Sequence, residues 1–338
     1  MVSEGALNRP AVQVGLVGLG NMGTAVGNLA ANNGYDVIGW EYHSRVVEEI
    51  NQEHTNSRFL SGVELSPRLT ATDELQEVVD RADIIFVAIP SAYVRSTLEP
   101  VAAQVGEERI VVNMAKGIDI DTGLTAYRTI GRLFPDARTV MLSGPAIADE
   151  FARGMPTVVV LAGAERVDLL AVSRVLEARH FRTRFSNDAT GIELGGILKN
   201  IYAIGLGLFD GKEISSVNFR SAYLTISLEE MTQLGVGLGA KAETFSYLAG
   251  LGDLLATSLS PHSHNRRMGE LLAKGNSLEA VEAEMGVLPE GYKTLKMALD
   301  IAEKLHVPLP LARGLWDVIH GRVEAETFIF AFVRDFVE

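Results

Sequence analysis

The chain of 338 residues contains no cysteine. Disulfide bonds, thiolate catalysis and cysteine-ligated metal centres are therefore excluded, and the composition fits the reducing cytoplasm, where we expect the protein to reside. Basic residues are the minority, and the formal net charge of −13 argues against a nucleic-acid-binding surface. Basic side chains that do gather are then of interest as a site for an anionic small molecule.

Long hydrophobic runs are also missing from the start of the chain. The first apolar run, residues 14–19, is too short and too rich in glycine for a signal sequence or a membrane span, so we expect no membrane insertion. Residues 1–11 are expected to form a flexible leader. With 47% hydrophobic residues, the remainder is long enough for two domains that each bury a core.

Two different sequence patterns divide the rest of the chain into two regions. Over residues 12–187, apolar β-branched runs alternate with helical patterns, which predicts a doubly wound parallel sheet covered by helices on both faces. From residue 188 to 338, helical periodicity and glycine punctuation predict an all-helical domain. The predicted strands are residues 12–18, 36–40, 83–90, 110–114 and 139–143, with 156–161 and 181–185 extending the sheet. The predicted C-terminal helices are residues 191–208, 219–234, 242–248, 265–273, 277–285, 292–305 and 309–320.

A glycine-rich turn follows the first predicted strand. Gly18, Gly20 and Gly23 have the spacing G-x-G-x-x-G, with Asn21 and Met22 between the last two glycines. The first glycine permits a tight turn, the second lets a pyrophosphate approach the backbone, and the third lets helix and strand pack closely. Because the turn joins a strand to a helix, it predicts a Rossmann-type dinucleotide-binding domain at residues 12–187.

The cofactor preference is read from the end of the second predicted strand. Glu41 lies about 20 positions after Gly20, where an acidic residue accepts hydrogen bonds from ribose hydroxyls and favours NAD. His43 and Arg45 follow closely and would suit the 2′-phosphate of NADP. We therefore expect NAD, with NADP as the alternative.

Two charged residues stand in unusually apolar, glycine-rich segments. Lys199 lies in residues 191–200 and Asp253 in residues 249–255. A buried ion needs a partner, and burial also makes the proton affinity of an amine adjustable, as proton transfer requires. Lys116 follows the fourth predicted strand, and the carboxyl ends of parallel strands border the ligand crevice. We expect these three residues to meet in a catalytic site.

Two further segments suit an anion. Backbone N–H groups of residues 144–148, just after the fifth predicted strand, are positioned to meet one. Residues 257–267 combine hydroxyls with His262, His264 and two arginines, whose forked guanidinium groups match phosphate or carboxylate. No carboxylate clusters with the two histidines, so we expect no metal site.

Taken together, these motifs resemble the NAD(P)-dependent sn-glycerol-3-phosphate dehydrogenases of the soluble bacterial type. The resemblance extends over residues 12–325 and implies an oxidoreductase of phospholipid biosynthesis that reversibly reduces dihydroxyacetone phosphate. It also implies a helical domain for substrate binding and dimerisation, and the apolar residues 328–333 favour a homodimer. Besides the glycine fingerprint, it rests on residues 115–118, 143–145, 193–200, 248–254, 263–267 and 289–291.

The resemblance implies roles for individual residues. Lys199 would exchange the proton with the carbonyl oxygen of the substrate, supported by Lys116 and Asp253. The residues implied to hold substrate are Lys116, Gly144, Ala146, Asn200, Thr257, Ser263, His264 and Asn265. Those implied to lie along the cofactor, beside the fingerprint and Glu41, are Pro90, Lys116, Ala148, Arg266 and Glu290.

The chain departs from the family pattern at three positions. Met22 replaces a usual aromatic residue, Ala146 replaces a polar one, and His264 replaces an arginine that grips the substrate phosphate. An imidazole lacks the bidentate fork of arginine. His264 and Ala146 favour an alternative function, the same hydride chemistry on another small hydroxy compound or phosphate ester. A non-catalytic dinucleotide sensor is a further alternative, which the retained lysines and aspartate argue against.

Overall fold

A computed structural model describes residues 12–119, 122–260 and 263–335 of the chain, except the side chains of Val333 and Asp335. The leader predicted at residues 1–11 lies outside these ranges. The strands are β1 (Gln13–Val17), β2 (Asp36–Trp40), β3 (Leu69–Thr72), β4 (Ile84–Val87), β5 (Ile110–Asn113), β6 (Arg138–Ser143), β7 (Thr157–Gly163) and β8 (Phe181–Ser186). The helices among them are α1 (Asn21–Asn32), α2 (Ser44–Glu53), α3 (Leu75–Arg81), α4 (Val94–Leu98), α5 (Ala126–Leu133), α6 (Ala148–Ala152) and α7 (Arg166–Leu176).

The eight strands form one sheet in the order β3-β2-β1-β4-β5-β6-β7-β8. Strands β1 to β6 are parallel, and the order reverses on either side of β1, so the doubly wound fold is confirmed. β7 is antiparallel to β6, with Ser143 opposite Val160, and β8 is parallel to β7. The last two strands thus extend the sheet in the opposite direction, which an apolar run by itself does not reveal. β3 is missing from the sequence prediction because it has four residues, two of them threonine.

The C-terminal region has helices and no strands among its described residues. Its helices are α8 (Ala189–Gly211), α9 (Val217–Gly237), α10 (Ala242–Phe245), α11 (Asp253–Leu259), α12 (His264–Ala273), α13 (Leu278–Met285), α14 (Glu290–Leu305), α15 (Pro310–Ile319) and α16 (Ala325–Asp335). Among the described helices, α8 is long and apolar enough to cross a membrane by length and composition, but 89% of its apolar stretch is buried inside the protein. Such burial is typical of a core helix, and α8 runs through the larger apolar core of the helical region.

A π-helical turn at Leu248–Gly252 separates α10 from α11. A Cβ atom at Gly250 would collide with the Phe245 carbonyl oxygen, and one at Gly195 would lie 2.5 Å from the Ala249 carbonyl oxygen. Gly250 therefore lets the turn fold against the end of α10, and Gly195 lets it pack backbone against backbone on α8. The predicted helix over residues 242–248 was wrong in its last turn, and α11 and α16 were not predicted. The close packing at these glycines places Asp253, the first residue of α11, against α8.

Candidate active site

Lys199, Lys116 and Asp253 meet, as the sequence predicts. The Lys199 Nζ lies 2.6 Å from Asp253 Oδ1, and the Lys116 Nζ lies 2.7 Å from Asp253 Oδ2. Lys199 also donates to the Thr257 hydroxyl at 2.6 Å. Asp253 is only 2% exposed, so one buried carboxylate serves two ammonium groups. The three formal charges sum to a positive one, which suits an anionic substrate or a carbonyl oxygen that gains negative charge.

The surroundings of Lys199 adjust its basicity. Burial lowers the pKa of Lys199 to about 8, Asp253 opposes that change by raising the pKa, and Lys116 lowers it again. The amine can therefore exchange its proton close to neutral pH, as a general acid or base must. This is the property that the apolar segment around Lys199 predicts.

Gly196 lies on α8 one turn before Lys199 and leaves room for the site. A Cβ atom there would lie 2.6 Å from the Ser143 hydroxyl and 3.3 Å from Lys116 Cε. Ser143 ends β6, and its hydroxyl is buried without a hydrogen-bond partner in the part of the chain that the structure describes. Sequence reasoning missed this hydroxyl as a site group, although its position at a strand end before Gly144 was a usable signal. Through Gly196, the hydroxyl thus lies near the Lys116 side chain.

The residues of the glycine fingerprint fit a dinucleotide. Gly18 has a φ of +99°, and a Cβ at Gly23 would collide with the Gly18 carbonyl oxygen. A Cβ at Gly20 would meet nothing within 4 Å among the described residues, so the first turn of α1 is open to a ligand. The N–H groups of Asn21 and Met22 belong to this turn, which has no side-chain cap within the described ranges. Such a turn binds phosphate.

Glu41 is buried at the end of β2, with 3% exposure. Its Oε1 accepts hydrogen bonds from the His43 backbone N–H at 3.0 Å and pairs with His43 Nδ1 at 2.6 Å. One oxygen of the Glu41 carboxylate is therefore held by His43, two residues further along the chain. Its predicted contact with a ribose stays a prediction.

Pro90 and Glu290 come together beside the Lys116 loop. Pro90 precedes the 3₁₀ turn Ser91–Tyr93, and the Ser91 hydroxyl donates to Glu290 Oε1 at 3.0 Å. Burial raises the pKa of Glu290, and Ser91 and Lys116 act in the opposite direction. Gly117 adjoins this contact, because a Cβ there would collide with the Ser91 hydroxyl. Two residues predicted along the cofactor are thus neighbours in space.

The start of α12 brings several predicted substrate residues together. Ser263 caps the helix, and the exposed His264 is its first residue. Asn265 Oδ1 accepts a hydrogen bond from the Gly291 N–H at 2.9 Å, and Gly291 packs against the carbonyl oxygen of Asn200. The predicted contact of Asn265 with substrate stays a prediction. His262 lies outside the described residues.

The segment after β6 carries the remaining predicted contacts. Gly144 has a φ of +120°, which favours glycine. Ala146 is partly buried against the core of the sheet domain, and the buried Ala148 begins α6. Met22 is also partly buried against that core. Their contacts with cofactor or substrate stay predictions.

Arg266, predicted to lie along the cofactor, is bound by Asp210 and two backbone carbonyl oxygens. Its Nε and Nη2 donate to Asp210 Oδ2 at 2.8 and 2.5 Å, and its Nη1 donates to the Ser258 and Ser260 carbonyl oxygens at 2.8 and 2.9 Å. The fork thus ties the α11–α12 connection to the end of α8. The predicted contact of Arg266 with the cofactor stays a prediction. Sequence reasoning had no means to identify Asp210 as its partner.

A glycine-rich turn from β1 to α1 in a doubly wound sheet, with Lys116 after β5 and Lys199 on α8 sharing the buried Asp253, is the pattern of a nicotinamide-dependent dehydrogenase. Comparison with known proteins narrows this class. One family model, NAD-dependent glycerol-3-phosphate dehydrogenase N-terminus, matches residues 13–167, and the C-terminus model matches residues 188–330. The chain belongs to the family of NAD-dependent glycerol-3-phosphate dehydrogenases.

Individual relatives agree with this assignment. The glycerol-3-phosphate dehydrogenase [NAD(P)+] of Carboxydothermus hydrogenoformans is 37% identical over 95% of this chain and 96% of its own. That of Nitratidesulfovibrio vulgaris strain Hildenborough is 39% identical over 91% of this chain and 94% of its own. The crystal structure of glycerol-3-phosphate dehydrogenase from Coxiella burnetii matches with a TM-score of 0.88 and 27% identity, over 95% of this chain and 98% of that one.

Proposed function

We propose that the chain is an oxidoreductase that reversibly reduces dihydroxyacetone phosphate to sn-glycerol 3-phosphate with NAD or NADP. The observation that carries this proposal is the buried Asp253 held between Lys199 and Lys116. The lowered pKa of Lys199, about 8, supports proton exchange with a substrate oxygen. The net positive charge of the three groups supports an anionic substrate.

The chemistry divides between cofactor and protein. A bound nicotinamide supplies or accepts the hydride. Lys199 gives a proton to the carbonyl oxygen, and hydride and proton together convert the ketone to the alcohol. In the reverse direction Lys199 takes the hydroxyl proton. Asp253 and Thr257 hold the Lys199 ammonium in place, and Lys116 lies close enough to hydrogen-bond the same oxygen.

The other predicted contacts belong to the same proposal. Residues 12–187 form the cofactor domain, and residues 188–338 form the domain for substrate binding and dimerisation. The cofactor is held by Gly18, Gly20, Asn21, Met22, Gly23, Glu41, Pro90, Lys116, Ala148, Arg266 and Glu290. The substrate is held by Lys116, Gly144, Ala146, Asn200, Thr257, Ser263, His264 and Asn265.

We further propose a cytoplasmic homodimer that serves phospholipid biosynthesis. Phe330 on α16 is 66% exposed, and burial of this ring against a second copy would remove a large apolar side chain from water. The reading as a protein that does not insert into membranes is supported by the burial of α8.

The alternative substrate retains one specific support. His264 lacks an arginine fork, and Arg266 cannot replace it without giving up Asp210 and two carbonyl oxygens. A substrate without a phosphate at that position would explain both features. The hydride chemistry and Lys199 are unchanged in this alternative.

The test is loss of NADH absorbance with dihydroxyacetone phosphate, beside NADPH and a panel of unphosphorylated and larger phosphorylated ketones. Lys199→Ala should lower kcat about 10³-fold, because the proton donor is gone, and leave NADH affinity nearly unchanged. Lys212→Ala, at the exposed end of the same helix, is the matched control and should retain the wild-type rate. Turnover of another ketone in preference to dihydroxyacetone phosphate would favour the alternative substrate.

A further inference from the structure

Glu193 is a buried carboxyl group that the reaction as proposed does not use. It lies on α8 less than two turns before Lys199 and is 2% exposed. Its Oε1 accepts a hydrogen bond from the Tyr127 backbone N–H at 2.8 Å, in the first turn of α5. Burial raises the pKa of Glu193 to about 7, and the Thr125 hydroxyl, the Tyr127 N–H and the Arg128 guanidinium oppose that change. Glu193 therefore binds the N-terminus of α5 from the helix that carries the proton donor.

The same turn of α5 holds the loop of Lys116. The Ala126 N–H donates to the Gly117 carbonyl oxygen at 3.3 Å, and Ile118 pairs with Thr125 in an isolated antiparallel bridge. Gly117 is the next residue after Lys116. One first turn thus contacts the neighbour of Lys116 on one side and Glu193 on the other.

We propose that Glu193 is a positioning residue that fixes the Lys116 loop against the helix of Lys199. This inference rests on the proposed function, since it assigns Glu193 an effect through Lys116. Lys116 reaches Asp253 from a loop, so a small shift of α5 would move its ammonium group away from the carboxylate. Because Glu193 and Lys199 lie on one rigid helix, a Lys116 loop held by Glu193 through α5 stays at a fixed distance from Lys199.

A displacement of Lys116 can be observed through its effect on the pKa of Lys199. Lys116 lowers the pKa of Lys199, whereas Asp253 raises it. Removal of the Lys116 ammonium from Asp253 therefore raises the pKa of Lys199. In the reduction direction, the decline of kcat/KM at high pH then moves to higher pH.

A glutamine at position 193 offers a conservative rescue. The hydrogen bond from Tyr127 needs only an acceptor oxygen, which a glutamine amide retains. Glu193→Gln should therefore keep kcat/KM within about twofold of wild type, whereas Glu193→Ala loses the acceptor. Glu193→Asp withdraws the carboxylate by one methylene and provides a milder variant if the alanine variant does not fold.

Glu230 is a matched control in the same protein. It is 3% exposed, accepts hydrogen bonds from the Leu311 and Ala312 N–H groups, and receives one from the Tyr202 hydroxyl. It therefore binds the first turn of α15 as Glu193 binds that of α5, but its three partners lie on α8 and α15 and not on the Lys116 loop. Glu230→Ala should lower the midpoint of thermal unfolding and leave the pH profile of the enzyme unchanged.

The decisive experiment is a double-mutant cycle of Glu193→Ala, or Glu193→Asp, with Lys116→Ala in the full chain with cofactor. KM for dihydroxyacetone phosphate and the pH profile of kcat/KM are measured for each variant. The Glu193 variant should raise KM about tenfold and move the alkaline decline upward, and it should add less than about twofold to Lys116→Ala.

The outcomes separate the inference from the proposed function. If Lys116→Ala changes neither KM nor the pH profile, the proposed role of Lys116 is wrong. If Lys116→Ala acts but the folded Glu193 variants keep the wild-type profile, or the two effects multiply, the positioning role of Glu193 is overturned. An unchanged pH profile combined with lowered stability, as expected for Glu230→Ala, would also overturn it.

Discussion

Lys199 and Lys116 bind the same aspartate from unlike scaffolds. Lys199 lies inside α8, and its side chain is 11% exposed, whereas Lys116 stands on a loop after β5, and its side chain is 23% exposed. The helix supplies desolvation, which lowers the pKa of Lys199 to about 8. The loop after β5 places the positive charge of Lys116 beside Asp253. Burial therefore adjusts the basicity of one amine, while contacts from outside the site must position the other.

Asp253 links the two lysines, since each of its oxygens receives one ammonium group. Its position depends on the π-helical turn, which the glycines of α8 and of the turn itself allow to pack closely. The proton donor and its charged neighbour thus depend on a single carboxylate. Removal of this carboxylate should therefore disturb both lysines at once.

Asp253→Asn should have the largest effect. It leaves two ammonium groups without a counterion, and loss of one partner of a buried ion pair costs about 3 kcal/mol in the free energy of unfolding. We expect kcat/KM to fall about 10³-fold, because the Lys199 amine is no longer oriented. Asp253 raises the pKa of Lys199, so its removal lowers that pKa. In the reduction direction, the residual kcat/KM should therefore decline at lower pH than in the wild type.

The measurements for this variant are chemical denaturation and a pH series of residual rates. Asp168→Asn is a control, because Asp168 is also buried but its Oδ1 accepts a hydrogen bond from Arg138 in the sheet domain, at 2.9 Å. It should lower stability without a change in the pH profile. An alkaline limb that moves to higher pH in Asp253→Asn would contradict the charge relation between Asp253 and Lys199.

The pH dependence of the wild-type enzyme should differ between the two directions of the reaction. Reduction needs the protonated amine of Lys199, so kcat/KM should be level below about pH 8 and fall about tenfold per pH unit above it. Oxidation needs the free amine and should rise up to about pH 8. Initial rates in both directions test this, and a limb near the ordinary lysine value of 10.5 would show that burial does not control this amine.

Much of this arrangement could be predicted from local pattern. The strand–turn–helix context of the glycine fingerprint predicted the dinucleotide fold, and the apolar segments around Lys199 and Asp253 predicted that both would be buried. These signals work because burial and turn geometry depend on residues close in sequence. The direction of β7 and β8 and the π-helical turn depend on packing between distant segments, and no local pattern contains them.

Partners across the chain account for the other differences. Arg266 has the right chemistry for an anion, and sequence alone does not show that Asp210 and two carbonyl oxygens bind its guanidinium group. Glu193 read as part of an apolar helix, and only the fold places it at the first turn of α5. Residue type predicts what a side chain can bind, and tertiary structure decides which of the possible partners it meets.

The smallest expected effect concerns the predicted phosphate-binding end of the site, which lies on neither the helix of Lys199 nor the loop of Lys116. His264 is the exposed first residue of α12, and His264→Arg would place a fork there while Arg266 stays bound to Asp210. One added charge-assisted hydrogen bond of about 1.5 kcal/mol would lower KM for dihydroxyacetone phosphate roughly tenfold with little change in kcat. Arg267, which pairs with Glu270 and Glu284 on the surface, provides the control variant Arg267→Ala. An unchanged KM in His264→Arg would mean that position 264 does not face the phosphate, and then the lysine pair alone would have to recognise the charge of the substrate.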